Sequence, residues 1–234
     1  MPIPASSITI PGPNGPIPAL TFGDCASARA AVILRYGFGG TMTVQWPEAE
    51  RLVAAGYAVL VPEAPPHGLR SDGLLDRMAC VMVWEARAMF LDLVESGSRE
   101  IRPLVDHLAR SGASRFAVAG VSMGGYAALA APLQDPRVGA VVAFLADPVW
   151  EDRPHSPHLH PGAWSHVALL AVTADGDEVV PPGSLRVFAH SLASRFGSGS
   201  RFSSLEYRGG HEMDAADWNE AWVRAILWLD LQFP

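Results

Sequence analysis

The sequence predicts an α/β domain in which a mostly parallel, doubly wound sheet carries helices on both faces and an antiparallel hairpin at its N-terminal edge. Three observations lead to this prediction. Short, nearly continuous apolar runs, typical of strands buried on both faces, recur along the chain. Segments with helical periodicity separate them, and two extended segments flank a Gly/Pro/Asn turn near the N-terminus. The chain has 234 residues, which suits one domain spanning residues 1–234.

The strands are predicted as follows. Residues 6–10 and 17–22 form the hairpin around a turn at 12–16. Five buried strands are predicted from apolar runs at residues 30–36, 57–61, 115–119, 138–145 and 167–173. A further strand is predicted at residues 202–207, so strands and helices alternate as in a parallel sheet with right-handed crossovers.

Helical patterns occupy most of the intervening segments, at residues 44–55, 74–109, 124–131, 183–194 and 214–231. The long region 74–109 could be broken at Ser96-Gly97-Ser98. Pro132 requires the helix before it to be short or to bend. Residues 147–165 are proline-rich and without a period, and their place between two strands is suited to a short lid insertion.

Composition and charge exclude several classes of protein. Apolar residues make up 49% and charged residues 18% of the chain, which favours a sizeable core over disorder. The net charge is −7 and no basic run is present, so we expect no nucleic-acid partner. No apolar run approaches the roughly 20 residues of a membrane helix, so we expect no membrane partner either.

The N-terminus and the cysteines predict a cytoplasmic location. The first residues lack the basic start and apolar stretch of a signal peptide. Cys25 and Cys80 have neither CxxC nor metal-ligand spacing, and we interpret both as reduced thiols, with one disulfide as the alternative. The sequence leaves a monomer and a homodimer equally open.

Residues 120–124 read Gly-Val-Ser-Met-Gly, the pattern G-x-S-x-G. An apolar strand precedes them and small helix-forming residues follow, which is the context of a nucleophile elbow. Ser122 would then lie in a tight turn at the N-terminus of a helix, where positive potential stabilises developing negative charge. We predict Ser122 as a nucleophile, against the plainer reading of a glycine-rich strand-to-helix turn.

A serine hydroxyl needs a base, and in this type of fold the order along the chain is Ser, acid, His. His211 is the candidate base because it lies in a glycine-rich loop between a predicted strand and the last helix. Asp177, after the strand 167–173, is the candidate acid. Asp147, at the end of the preceding strand, is its main rival.

Two further acidic residues lie in the same segment as Asp177. Asp175 is suited to structuring the turn, and Glu178 is expected to face solvent. An oxyanion hole needs two N–H donors aimed at one point. We predict these to be the N–H groups of Met123 and of Phe38, the latter in the glycine-rich loop 36–40.

These segments together resemble the α/β-hydrolase superfamily over essentially the whole chain. They look most like small bacterial esterases related to dienelactone hydrolases and to the catalytic domains of prolyl-oligopeptidase-type enzymes. The matching segments are residues 36–40, the His-Gly loop 62–70, residues 120–125, the acid segment 175–181 and residues 210–211.

The chain also departs from the family pattern. Tyr36 replaces the usual histidine, and Thr173-Ala174 replaces the usual His-Gly. Dienelactone hydrolases carry a cysteine nucleophile, so the serine here implies ester hydrolysis instead.

The resemblance implies a serine carboxylesterase that cleaves small to medium esters through an acyl-enzyme, without a metal or other cofactor. Substrate-binding candidates are Tyr36, His67, Trp84, Trp150 and Trp164, although large aromatic residues are more often ordinary core. The spacing of His155, His158, His160 and His166 fits no common zinc site. A peptidase, thioesterase or C–C hydrolase with the same triad, and a non-catalytic binding protein, remain the alternatives.

Overall fold

A computed structural model describes residues 3–197 and 199–234. Eight strands of this described part form one sheet in the order β1-β2-β4-β3-β5-β6-β7-β8. They are β1 Ala5–Ile10, β2 Ile17–Phe22, β3 Ala31–Arg35, β4 Ala58–Pro62, β5 Phe116–Val121, β6 Val138–Phe144, β7 Ala168–Ala174 and β8 Phe202–Tyr207. β2 pairs antiparallel with β1 and β4, and all other neighbours are parallel. The predicted mostly parallel sheet with an N-terminal hairpin is confirmed.

Seven α-helices accompany the sheet in the described residues: α1 Trp46–Ala54, α2 Leu74–Met78, α3 Val83–Ser98, α4 Ile101–Arg110, α5 Met123–Gln134, α6 Gly183–Phe196 and α7 Ala215–Gln232. α1 and α7 contact each other through a hydrogen bond from Trp218 Nε1 to Glu48 Oε1 of 2.8 Å. α3 and α4 pack on α5, which contacts β3, β5 and β6. The core is the apolar space between the sheet and these helices.

Two helical predictions need correction. The region 74–109 contains three helices, and it is interrupted at 79–82 and 99–100, not at 96–98. Pro103 explains the second interruption, because a proline fits the first turn of a new helix but clashes with the preceding turn of a continuing one. Pro132 lies inside α5, which continues to Gln134. Burial of nearly the whole helix outweighs the missing hydrogen bond there.

The irregular segment between β6 and β7 forms two short 3-10 turns, Pro157–Leu159 and Pro161–Trp164. Both turns pack against α5. Trp150 and Trp164 are buried in this segment. Cys25 and Cys80 are free thiols. Within residues 3–197 and 199–234, no helix combines the length and apolar character that crossing a membrane requires.

A buried ion pair ties the N-terminal hairpin to the helical layer. Arg70 and Glu100 lie 2.7 Å apart, with side chains 8% and 0% exposed. The Arg70 guanidinium also donates to the main-chain oxygens of Glu63 and Asn14. Removing one member of such a pair leaves the other charge buried without compensation.

We predict that Glu100→Gln lowers the free energy of unfolding by about 3–5 kcal/mol. The control is Glu220→Gln, which breaks an exposed i,i+4 pair with Arg224 and should change stability by less than about 0.5 kcal/mol. Urea denaturation followed by circular dichroism measures both. Equal, small effects would contradict a structural role for the buried pair.

Candidate active site

Ser122 occupies a sharp turn between β5 and α5. Its backbone has φ +51° and ψ −120°, a conformation that residues with a side chain rarely adopt. The turn needs close approach of strand and helix. A Cβ at Gly120 would collide with the main chain of Gly124, and a Cβ at Gly124 would collide with the main chain of Arg35. The geometry is that of a strained elbow that projects the serine hydroxyl from the carboxyl edge of the sheet.

Three side chains form a continuous hydrogen-bonded chain at this edge. His211 Nε2 lies 2.9 Å from Ser122 Oγ, and His211 Nδ1 lies 2.8 Å from Asp177 Oδ2. The Asp177 side chain is 1% exposed and that of His211 is 21% exposed. In this arrangement a neutral imidazole donates from Nδ1 to the carboxylate and accepts from the serine hydroxyl.

The loop after β7 holds the Asp177 side chain in place. Its Oδ1 accepts hydrogen bonds from the N–H groups of Val179 and Val180, at 2.9 and 2.8 Å. The second oxygen, Oδ2, therefore remains directed at His211. Bonds to both oxygens fix the orientation of the carboxylate, which in turn fixes the orientation of the imidazole.

The loop that carries His211 is anchored on both sides. Asp175 Oδ1 accepts from Gly209 N–H at 3.1 Å, and Gly176 N–H donates to the Gly209 carbonyl at 2.9 Å. Beyond His211, the Asp214 side chain accepts two backbone N–H groups as the N-cap of α7. Asp175 thus structures the turn between β7 and the histidine loop.

Asp147, the other candidate for the acid, forms a hydrogen bond within its own loop after β6. Its Oδ1 accepts from Val149 N–H at 2.8 Å. Burial raises the pKa of this carboxyl, an effect partly offset by hydrogen bonds from Val149 and Ser184. Of the candidate acids, Asp177 is the one that forms a hydrogen bond with His211. Glu178 is exposed.

The two expected oxyanion donors flank the serine. Met123 is the first residue of α5, where N–H groups lack partners within the helix. Phe38 follows Gly37, whose position is close enough that a Cβ there would lie 3.5 Å from Ser122 Cβ. Within the described residues neither Phe38 N–H nor Met123 N–H forms a hydrogen bond. Both are therefore available to a bound oxyanion.

A cavity of about 590 Å³ opens at Ser122. Its lining is largely apolar and includes Phe38, Phe90, Tyr126, Leu145, Val180, Met213 and Trp218. Arg87 also lines it, with its guanidinium 5.7 Å from the ring centres of both Phe90 and Tyr126. Arg87 Nη1 donates to Tyr126 Oη at 3.3 Å. The cavity lining thus includes one cationic side chain, Arg87, and one acidic side chain, Glu212.

The predicted substrate-binding residues do not line this cavity. Trp84 is 72% exposed on α3, and Trp150 and Trp164 are buried in the segment after β6. Tyr36 and His67 are buried next to the loop 37–40. No residue of 147–165 is among those that line the cavity. Apolar periodicity does not separate core aromatics from pocket aromatics, so it could not show which of these side chains reach the cavity.

The cavity residues missed by sequence reasoning lie on α3, α5 and α7, at the end of β5 and in the loops after β6, β7 and β8. Arg87 and Phe90 are three residues apart on α3, and Trp218 lies on α7. Glu212, Met213 and Val179 carried a usable signal, since each lies within two residues of His211 or Asp177.

The four histidines of the segment after β6 do not converge. His160 Nε2 contacts the Pro154 carbonyl and His166 Nε2 the Pro136 carbonyl. His158 Nδ1 lies 2.8 Å from Ser156 Oγ. In the described part of the chain, no three or more His, Cys, Asp or Glu side chains are grouped to hold a metal ion.

Comparison with known proteins places these features in context. Residues 18–196 match the model of the dienelactone hydrolase family. A search of curated proteins finds no match.

Solved structures match over the whole chain. TT1662 from Thermus thermophilus has a TM-score of 0.77 at 18% identity, covering 100% of this chain and 99% of its own. The esterase Pf2001 of Pyrococcus furiosus has a TM-score of 0.72 at 15% identity, covering 99% and 94%. A puromycin-hydrolyzing peptidase of Mycobacterium tuberculosis has a TM-score of 0.74 at 18% identity, covering 96% of this chain and 38% of its own. At these identities the likeness shows the fold alone, and the expected α/β-hydrolase fold is confirmed.

We predict that Asp177→Asn slows covalent labelling of Ser122 by a fluorophosphonate about 10³- to 10⁴-fold, because the amide stabilises the wrong imidazole tautomer. Asp147→Asn is the matched control and should react at close to the wild-type rate. Ser122→Ala should not react at all. If Asp147→Asn were the slower variant, the assignment of the acid would be reversed.

Proposed function

The chain belongs to the dienelactone hydrolase family, and we propose that it is a serine carboxylesterase that cleaves small to medium esters through an acyl-enzyme intermediate. The observation that carries the proposal is the hydrogen-bonded chain from Ser122 through His211 to Asp177 at the mouth of a mostly apolar cavity. Family membership supports hydrolysis as the reaction class. The serine nucleophile and the ester substrate are our inference from the site.

In the proposed acylation step, His211 Nε2 removes the proton from Ser122 Oγ as the oxygen attacks the ester carbonyl. The carbonyl oxygen becomes an oxyanion, which the Phe38 and Met123 N–H groups stabilise. The tetrahedral intermediate then collapses and its C–O bond to the alcohol breaks. The alcohol leaves with the proton from His211, and the acyl group remains on Ser122.

Deacylation repeats the same proton transfers with water. His211 takes a proton from water as the water oxygen attacks the acyl carbonyl, and it returns that proton to Ser122 Oγ as the carboxylic acid leaves. Asp177 stabilises the imidazolium in both steps. The scheme uses only side chains and backbone groups of this chain, and we propose that it operates on a small-molecule substrate in the cytoplasm.

Cavity size and lining support the substrate class. A volume of about 590 Å³ is within the range of small-molecule sites and suits a small or medium ester. Arg87 favours an ester that carries a negative charge, since a guanidinium in an apolar wall binds carboxylate strongly.

A peptidase with the same triad is the second candidate. One structural neighbour is named a puromycin-hydrolyzing peptidase, whereas another is named an esterase. Peptide and ester substrates need the same nucleophile, so the triad alone does not separate them. Parallel assays with aminoacyl-p-nitroanilides, acyl thioesters and p-nitrophenyl esters distinguish the alternatives, because each releases a different leaving group.

We predict that the wild-type protein hydrolyses p-nitrophenyl esters, with kcat/KM highest for short acyl chains. Ser122→Ala should lower kcat/KM by at least about 10⁴-fold, because the residue forms the covalent intermediate. Steady-state kinetics over a chain-length series measures this. A folded Ser122→Ala variant with wild-type activity would exclude the proposed function.

We predict that Arg87→Gln lowers kcat/KM for a half-ester of a dicarboxylic acid by roughly 10- to 100-fold, the value of a charge-assisted hydrogen bond. A neutral ester of the same length is the control and should be little affected. The ratio of the two kcat/KM values isolates the charge effect. A parallel fall for both esters would mean that Arg87 shapes the cavity without selecting charge.

A further inference from the structure

His67 makes one hydrogen bond to the loop that carries a proposed oxyanion donor. Gly39 N–H donates to His67 Nε2 at 3.0 Å. The other ring nitrogen, Nδ1, lies 3.4 Å from the Pro65 carbonyl oxygen. The side chain is buried and outside the lining of the cavity, so it contacts the loop and not a substrate.

We propose that His67 is a positioning residue for the oxyanion loop, residues 37–40, and that it holds Phe38 N–H in its donating orientation only while the imidazole is neutral. The inference rests on the proposed function, since it assigns Phe38 N–H to the oxyanion. It adds a residue that acts through the loop, without contact to the reacting atoms.

The geometry requires the neutral imidazole. An N–H group can donate to Nε2 only if that nitrogen has a free lone pair, and the proton of neutral His67 must then be on Nδ1, facing the Pro65 carbonyl. In the imidazolium form both nitrogens are donors. Nε2–H would then face Gly39 N–H, and the hydrogen bond would be replaced by repulsion.

Besides the bond to His67, the loop is fixed by Phe38, which packs edge-on against Phe90 of α3 with ring centres 6.1 Å apart. Its internal bond runs from Gly40 N–H to the Gly37 carbonyl at 3.2 Å, and Gly39 has φ +79°, which only glycine adopts freely. The His67 ring also packs edge-on against Phe38, with ring centres 5.5 Å apart. His67 therefore contacts the side chain of the donor residue and the amide that follows it.

The segment that carries His67 is itself fixed by buried hydrogen bonds. Its N–H donates to the Ala64 carbonyl at 2.8 Å, and Ala64 N–H donates to Tyr36 Oη at 2.8 Å. Buried Glu63 accepts from Tyr36 Oη at 2.5 Å and from Met42 N–H at 3.0 Å. The carboxylate thus links the two ends of the loop region to the segment that carries His67.

The groups around the imidazole shift the pKa of His67 in opposite directions. Burial is the main influence and lowers the pKa of His67 below its ordinary value of 6.5; Arg35 on β3 acts in the same direction. The Pro65 carbonyl and the Glu63 carboxylate oppose it. Arg70, three residues after His67, is paired with Glu100. His67 is therefore neutral at neutral pH, and the bond from Gly39 is lost as pH falls through the lowered pKa.

Two variants separate the hydrogen bond from the packing. In His67→Gln the side-chain carbonyl oxygen can reach the place of Nε2 and accept at any pH, whereas His67→Phe keeps a ring and accepts nothing. We expect His67→Phe to lower kcat by about 10²-fold, as loss of an oxyanion donor does, with little change in KM. We expect His67→Gln to retain kcat at neutral pH.

The pH profile of kcat/KM gives a second readout. Below neutrality the wild type should lose part of its activity as His67 is protonated. His67→Gln should lack this contribution to the acid limb. A change in KM without a change in kcat in His67→Phe, or a wild-type acid limb in His67→Gln, would overturn the inference.

A measurement on the unsubstituted protein covers the case in which a variant does not fold. ¹⁵N NMR of histidine-labelled wild type should show neutral His67 with Nδ1 protonated and Nε2 unprotonated at pH 7. The opposite tautomer would overturn the proposal. If wild type neither hydrolyses esters nor reacts with a fluorophosphonate, the proposed function fails. The ¹⁵N spectrum would then still test, by itself, whether His67 Nε2 accepts the hydrogen bond from Gly39 N–H.

Discussion

The close approach of β5 and α5 around Ser122 is the constraint on which the rest of the site depends. The strained backbone at the serine persists because Gly120 and Gly124 leave no room for a side chain between strand and helix. α5 is buried along almost its whole length and packs against three strands and α3. The packing of the most buried helix thereby holds the turn and directs the serine hydroxyl to the carboxyl edge of the sheet.

Parallel strands bring the remaining groups to the same edge. The loop 37–40 follows β3, Asp177 follows β7 and His211 follows β8, and all of these strands run in the same direction as β5. β7 and β8 are neighbours, so the loop that carries the acid and the loop that carries the base lie side by side and share a hydrogen bond from Gly209 N–H to Asp175. Loops contributed by separate strands meet only because the sheet order places them there.

The sequence was sufficient for the strands and for the residues brought together at the edge. Apolar runs mark buried parallel strands directly, and the chain order of Ser122, Asp177 and His211 carries their identity. The lining of the cavity was not predictable in the same way. Arg87 and Trp218 come from helices far apart in sequence, and their orientation depends on tertiary packing. In the sequence, nothing distinguishes the predicted pocket residues Trp150 and Trp164 from core tryptophans, and in the structure both are buried.

The central claim is that Ser122 forms a covalent acyl intermediate, and trapping that intermediate tests it most directly. Wild-type protein is mixed with p-nitrophenyl acetate, quenched in acid within the first turnover and digested for mass spectrometry. If Ser122 is the nucleophile, we expect one acetyl group on the peptide containing Ser122, formed together with a burst of p-nitrophenol of about one equivalent per active site. Ester hydrolysis with no acetylated peptide, or with acetyl on another residue, would contradict it.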